Sequence, residues 1–112
     1  MHEKIIIAPK FCKVISIFVD VNAITLYPFI ITKNEMSKVT LNHERIHLVQ
    51  QKELWLLGFY ILYILYWLKR KMSGMTSREA YANIPFEKEA YMMQEDLIYT
   101  GYRKPFSWKN FI

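Results

Sequence analysis

The feature that most constrains this chain is the H-E-x-x-H motif of residues 43–47. Residues four positions apart lie on one face of an α-helix, so the imidazoles of His43 and His47 can point at a single metal ion. Glu44 follows the first histidine directly, where it can act as a general base without binding the metal itself. The motif therefore predicts a helix that carries two zinc ligands and a catalytic carboxylate.

A zinc site of this kind needs a third protein ligand. No histidine follows His47 at the metzincin spacing, and His2 lies near the N-terminus. Glu87 falls in the first turn of a later predicted helix, where the helix dipole favours an ionised carboxylate. Ala90 lies on the same face and would allow close approach to the motif helix. Glu89 is the alternative ligand, and its side chain would point about 200° away from that of Glu87.

Hydropathy patterning predicts a single α+β domain: a small antiparallel sheet of two or three strands, then a long H-E-x-x-H helix and a helical C-terminal part. The predicted segments are strands within 1–36, the motif helix with an apolar extension over 37–71, helices carrying the third ligand over 76–101, and a basic aromatic tail over 102–112. The expected strands are Lys4–Ala8, Val14–Val19 and Ala23–Thr32, with a turn at residues 20–22.

Local signals place the helix ends. Ser37 or Thr40 is the expected N-cap of the motif helix. Thr76 and Glu79 have capping-box spacing, and a helix is expected from Pro85 to about residue 100, with Gly101 as its C-cap. Gln50 and Gln51 could hydrogen-bond to the metal ligands, but a surface position is the simpler expectation for them, and Glu53 is also expected at the surface. Tyr60, Tyr63, Tyr66 and Trp67 are expected in the core or an interface.

Residues 54–68 contain no charged side chain and are followed by Lys69, Arg70 and Lys71. As a helix this stretch would be about 22 Å long, whereas the hydrocarbon core of a bilayer is about 30 Å thick. A single crossing would also separate His47 from Glu87. We therefore expect the stretch to lie on an anionic membrane surface or to pair with a second copy as a homodimer.

Composition and charge limit the classes of binding partner and the cellular compartment that we expect for this protein. The chain has 112 residues, is 53% hydrophobic and carries a net charge of +5. Its basic residues flank long apolar runs, which favours anionic lipid over nucleic acid. Cys12 is the only cysteine, so neither an intrachain disulfide nor a thiolate cluster is expected. No signal peptide is recognised, which predicts a location on the cytoplasmic side, in association with the membrane.

The motif and the sequence around Glu87 resemble the gluzincin metallopeptidases, most closely the membrane-associated heat-shock and CAAX-processing type. That family has a small residue three positions after its glutamate ligand and an aspartate at the fourth. Ala90 matches the small residue, but Tyr91 stands in place of the aspartate. The chain is also similar, over roughly residues 40–102, to small bacterial proteins with H-E-x-I-H-L-x-Q-Q and F-E-x-E-A-Y motifs.

The resemblance implies zinc bound by two histidines and Glu87, and hydrolysis of peptide or protein substrates with Glu44 as general base. Tyr91 would either hydrogen-bond in place of the aspartate or reach the substrate oxyanion. The alternative hypothesis is a scaffold protein whose metal site is structural or a relic. The two differ in one respect: a structural site needs the ligands but not Glu44.

Overall fold

The computed structural model describes residues 4–7, 23–32 and 34–112. The expected strand Val14–Val19 and the turn at residues 20–22 lie outside these ranges, as do His2 and Cys12. Within the described ranges the α+β class is confirmed, because a three-stranded sheet is followed by helices.

The strands are β1 (Lys4–Ile7), β2 (Ala23–Leu26) and β3 (Phe29–Thr32), in the spatial order β1-β3-β2. The sheet is mixed rather than wholly antiparallel, since β1 runs parallel to β3 and β2 runs antiparallel to it. The prediction of one strand over residues 23–32 is wrong. Tyr27 and Pro28 form a turn that folds this segment into a hairpin, because proline has no N–H for a strand ladder and its φ suits a turn.

The predicted continuous helix over residues 37–71 is two helices, α1 (Lys38–Glu53) and α2 (Leu57–Met72). Ser37 is the N-cap of α1, and its hydroxyl accepts a hydrogen bond from the backbone N–H of Thr40. Between the helices, Trp55 and Leu56 adopt left-handed φ values of 59° and 55°. This conformation costs roughly 1–2 kcal/mol per residue.

The break redirects α2 so that its aromatic face packs on the later helices. Phe59 is 2% exposed, and its ring centroid lies 4.7 Å from that of Phe86. Burying one such side chain contributes about 1.5–3 kcal/mol. Packing of the aromatic face can therefore offset the strain at residues 55 and 56. The local hydropathy pattern does not reveal this break in the helix.

The C-terminal half contains α3 (Ser77–Ala82), α4 (Pro85–Met93), α5 (Tyr99–Tyr102) and a 3₁₀ helix (Ser107–Phe111). The capping box of Thr76 and Glu79 is present, as predicted. The helix that starts at Pro85 ends at Met93, before the predicted residue 100, and Gly101 lies inside α5. The basic tail packs into the protein: Trp108 is 5% exposed, and its ring lies 4.8 Å from Phe86.

Two apolar clusters fix α4 in place. One contains Phe59, Ile84, Phe86 and Trp108, and the other contains Ile46, Ala90 and Tyr99. The buried Ala90 (0% exposed) lies against α1, as its small size predicted. In the described residues, no helix combines the length and the apolar character that a membrane crossing requires.

Candidate metal centre

Three predicted ligands meet at the contact between α1 and α4. Nε2 of His43 and Nε2 of His47 lie 3.1 Å apart, and Oε1 of Glu87 lies 3.2 Å from the first and 3.1 Å from the second. Their exposed fractions are 6%, 5% and 4%. This buried group could hold a metal ion.

The triangle has the right size for zinc. A tetrahedral ion with bonds of about 2.0–2.1 Å separates its ligand atoms by about 3.3–3.4 Å. The observed separations of 3.1–3.2 Å fall about 0.2 Å short of that value, a difference that small rotations of the side chains can supply.

The hydrogen bonds of the two rings also fit a cation. Nδ1 of His43 lies 2.9 Å from Oε1 of Gln94, and Nδ1 of His47 lies 2.8 Å from Oε1 of Gln50. An amide oxygen only accepts, so each Nδ1 carries a proton, and each Nε2 is the ring atom that points inward and offers a lone pair once it is deprotonated. Two lone pairs and a carboxylate oxygen then converge, which is the donor set that a divalent metal requires.

The orientation of Gln50 is fixed independently. Its Nε2 donates to the carbonyl of Phe86 at 3.1 Å and to Oε1 of Glu89 at 2.9 Å, so its oxygen must face His47. Gln50 is fully buried, so the expected surface position is wrong and the alternative, a hydrogen bond to a ligand, is confirmed. Its position three residues after His47 was the available signal, since residues at i and i+3 share a helix face.

Tyr63 on α2 completes the set of residues that orient the ligands. Its hydroxyl donates to Oε2 of Glu87 at 2.7 Å, which leaves Oε1 directed at the two histidines. The sequence predicts only a core or interface position for Tyr63. Nothing in the hydropathy pattern distinguishes it from Tyr60 or Tyr66, because all three lie in one apolar stretch.

Burial and charge set the protonation of these groups. Burial alone would lower the pKa of His47, but the carboxylates of Glu87 and, more weakly, Glu44 raise it to about 9. Burial alone would raise the pKa of Glu87, but the two histidines hold it well below its usual range. Burial and the charge of Glu87 raise the pKa of Tyr63, so its hydroxyl remains a donor. A proton and a metal ion thus compete for one position between His47 and Glu87.

Glu44 is not one of the converging ligands. Its Oε2 accepts a hydrogen bond of 2.5 Å from Oγ1 of Thr25 on β2, and its side chain is half-buried. Its charge is nevertheless close enough to raise the pKa of His47. The hairpin therefore positions the carboxylate beside the three converging ligands without making it one of them.

Tyr91 does not take the place of the family's aspartate as a hydrogen-bond partner. Its ring packs edge-on against His43, with centroids 4.5 Å apart, and its hydroxyl lies 3.2 Å from that of Tyr81. Gln94, seven residues after Glu87 and so on the same helix face, orients His43 instead. Asn42 connects α1 to the segment that follows α4, because its Nδ2 donates to the carbonyls of Gln94 and Asp96 at 2.7 and 2.9 Å.

The alternative ligand, Glu89, belongs to a different network. Its carboxylate accepts hydrogen bonds from Nε and Nη2 of Arg103 at 2.5 and 3.0 Å and from Tyr99 at 2.6 Å. Arg103 also contacts Glu53 at 2.9 Å, and the Glu53 side chain is only 11% exposed, so the expected surface position is wrong. Since Gln50 bonds Glu89 on one side and His47 on the other, this ion-pair network extends to the metal centre.

Gln51 occupies part of the outer edge of β2. Its Nε2 donates to the carbonyl of Thr25 at 2.6 Å, and its Oε1 accepts from the N–H of Tyr27 at 2.7 Å. The side chain is 1% exposed, contrary to its predicted surface position. The amide thus makes the pair of hydrogen bonds that a neighbouring strand would make, and it anchors the hairpin to α1.

Comparison of the chain with protein-family models, with curated protein sequences and with solved structures gives no match.

Proposed function

We propose that this protein is a zinc-dependent hydrolase of peptide bonds, with a gluzincin-type ligand set. His43, His47 and Glu87 would hold the ion, and zinc bound there supplies a Lewis acid and lowers the pKa of a water molecule. The observation that carries the proposal is the relation of Glu44 to this triangle. A carboxylate adjoins the ligands on the same helix but is held off them by Thr25.

In this proposal Glu44 accepts a proton from the attacking water and then transfers it to the leaving amine. Thr25 keeps the carboxylate in one orientation. Gln94, Gln50 and Tyr63 hold the three ligands in fixed rotamers, so little reorganisation accompanies the reaction. Tyr81 and Tyr91, which are 36% and 49% exposed, present hydroxyls beside the centre where a substrate carbonyl could be bound.

A structural metal site is the second candidate. The ligands are only 4–6% exposed, and structural zinc sites are closed whereas catalytic sites keep an open position. In that case the network around the ligands serves stability, and Glu44 only ties α1 to β2.

Glu44→Gln separates the two candidates. We expect the variant to keep about one zinc per chain and its fold while it loses the hydrolysis of a library of quenched fluorescent peptides, because the amide cannot accept the proton. Glu95→Gln, which removes an exposed carboxylate, is the matched control and should keep full activity. If wild type and Glu44→Gln bind zinc alike and neither cleaves any peptide in the library, the structural candidate replaces the hydrolase.

A further inference from the structure

Helix α2 exposes an apolar stripe on the face that points away from the metal centre. Its members share one side of the helix at spacings of three and four residues, and each is 43–88% exposed: Leu57, Ile61, Ile64, Leu65, Leu68 and Met72. They form a row of exposed apolar side chains along the whole of α2 rather than isolated exposed residues, and such rows mark interaction surfaces.

The opposite face of α2 packs against the rest of the protein. Phe59 packs on Phe86, and Tyr63 bonds Glu87. The helix is therefore apolar on both sides, one buried in the protein and one exposed. Such a helix is expected within a core or against a membrane rather than at a water-facing surface.

The charges around the stripe point to one kind of partner. No acidic residue occurs in α2, and Lys69 and Lys71 lie about 70–90° to either side of the centre of the stripe. Their stems can follow the apolar surface while the ammonium groups reach sideways to anionic headgroups. At the other end of the stripe Trp55 is 89% exposed, and tryptophan favours the boundary between headgroups and acyl chains.

A second copy of the chain fits these charges less well. Parallel pairing of two stripes would place the lysines of both copies together. Antiparallel pairing would place them opposite the start of α2, which offers no carboxylate, and the preceding Glu53 is engaged by Arg103. Helices that pair through such stripes use opposite charges along their flanks.

We propose that α2 docks in the plane of an anionic lipid surface through this stripe, with Lys69 and Lys71 on the headgroups. The docking does not depend on the proposed hydrolysis. If both hold, the metal centre lies on the far side of the docked helix, close to polypeptides at the membrane surface.

Vesicle flotation of the full chain tests the docking. Wild type should float with vesicles of phosphatidylcholine and phosphatidylglycerol and much less with phosphatidylcholine alone, and raised salt should weaken the binding. Ile64→Glu should abolish flotation, and Lys69→Glu with Lys71→Glu should weaken it by at least about 30-fold. Ile98→Ser, which changes a 73% exposed residue outside the stripe, is the matched control and should float like wild type.

Circular dichroism and zinc content show whether each variant keeps its fold. If Ile64→Glu does not fold, the flotation of the double lysine variant tests the proposal instead. Flotation that the lysine variant leaves unchanged would overturn the proposal, as would wild type that binds neither kind of vesicle. A dimer in sedimentation velocity that Ile64→Glu dissociates, without any vesicle binding, would assign the stripe to a second copy instead.

Discussion

The hydroxyl of Tyr63 lies 2.7 Å from Oε2 of Glu87, while Oε1 of that carboxylate faces both histidines at 3.1–3.2 Å. One oxygen is thus held by α2 and the other is directed at the metal position. The apolar helix that follows the H-E-x-x-H helix therefore helps to build the site as well as the core.

Tyr63→Phe should weaken zinc binding about 10- to 100-fold, because the carboxylate loses the donor that fixes its rotamer. The measurement is competition with a chromophoric chelator. Tyr66→Phe is the matched control, since no hydrogen bond joins its hydroxyl to the described residues, and its affinity should equal that of wild type. Equal affinity in the Tyr63 variant would show that packing alone orients Glu87.

Glu87→Gln and Glu89→Gln should have opposite effects. The first removes a ligand charge and should bind much less than one zinc per chain by elemental analysis. The second should retain about one zinc but lose stability, because Glu89 is bonded to Arg103, Tyr99 and Gln50. The assignment would be wrong if the Glu89 variant were the one that lost the metal.

Arg103→Ala should destabilise the fold by about 3–5 kcal/mol, since it leaves two carboxylates without their cation. The side chains of Arg103 and Glu89 are 1% and 0% exposed, so water does not screen this pair. Urea denaturation gives the free energy of unfolding. Lys104→Ala removes a neighbouring exposed cation and should change it by less than about 0.5 kcal/mol.

Thr25→Val should lower peptide hydrolysis about 10- to 100-fold with zinc content unchanged, because Glu44 loses the hydrogen bond that orients it. Initial rates on the best peptide of the library, together with elemental analysis, provide the two readouts. The same change at Thr100, on α5, serves as the control. Loss of zinc in the Thr25 variant would contradict a role confined to Glu44.

Local periodicity was sufficient to pair the two histidines, but it left Glu87 and Glu89 as alternative third ligands, and the tertiary structure brings only Glu87 to them. His43 and His47 share a helix face wherever their helix packs in the fold. Ala90 marks the face of α4 that approaches α1. The pattern was insufficient for helix ends: the break at residues 54–56 and the end of α4 at Met93 depend on packing and on contacts such as that of Asn42.

The sequence by itself determined the two histidines, the carboxylate beside them, the capping box at Thr76 and the α+β class, because each follows from spacings of a few residues. Only the tertiary structure decided which polar groups surround the ligands. Gln94 lies within hydrogen-bond distance of His43, 51 positions away in the sequence. Tyr63 donates to Glu87 over a separation of 24 positions, and Arg103 donates to Glu53 over one of 50. Hydropathy specifies which face of a helix is buried, whereas the partner of a buried polar group is set by how separate elements pack.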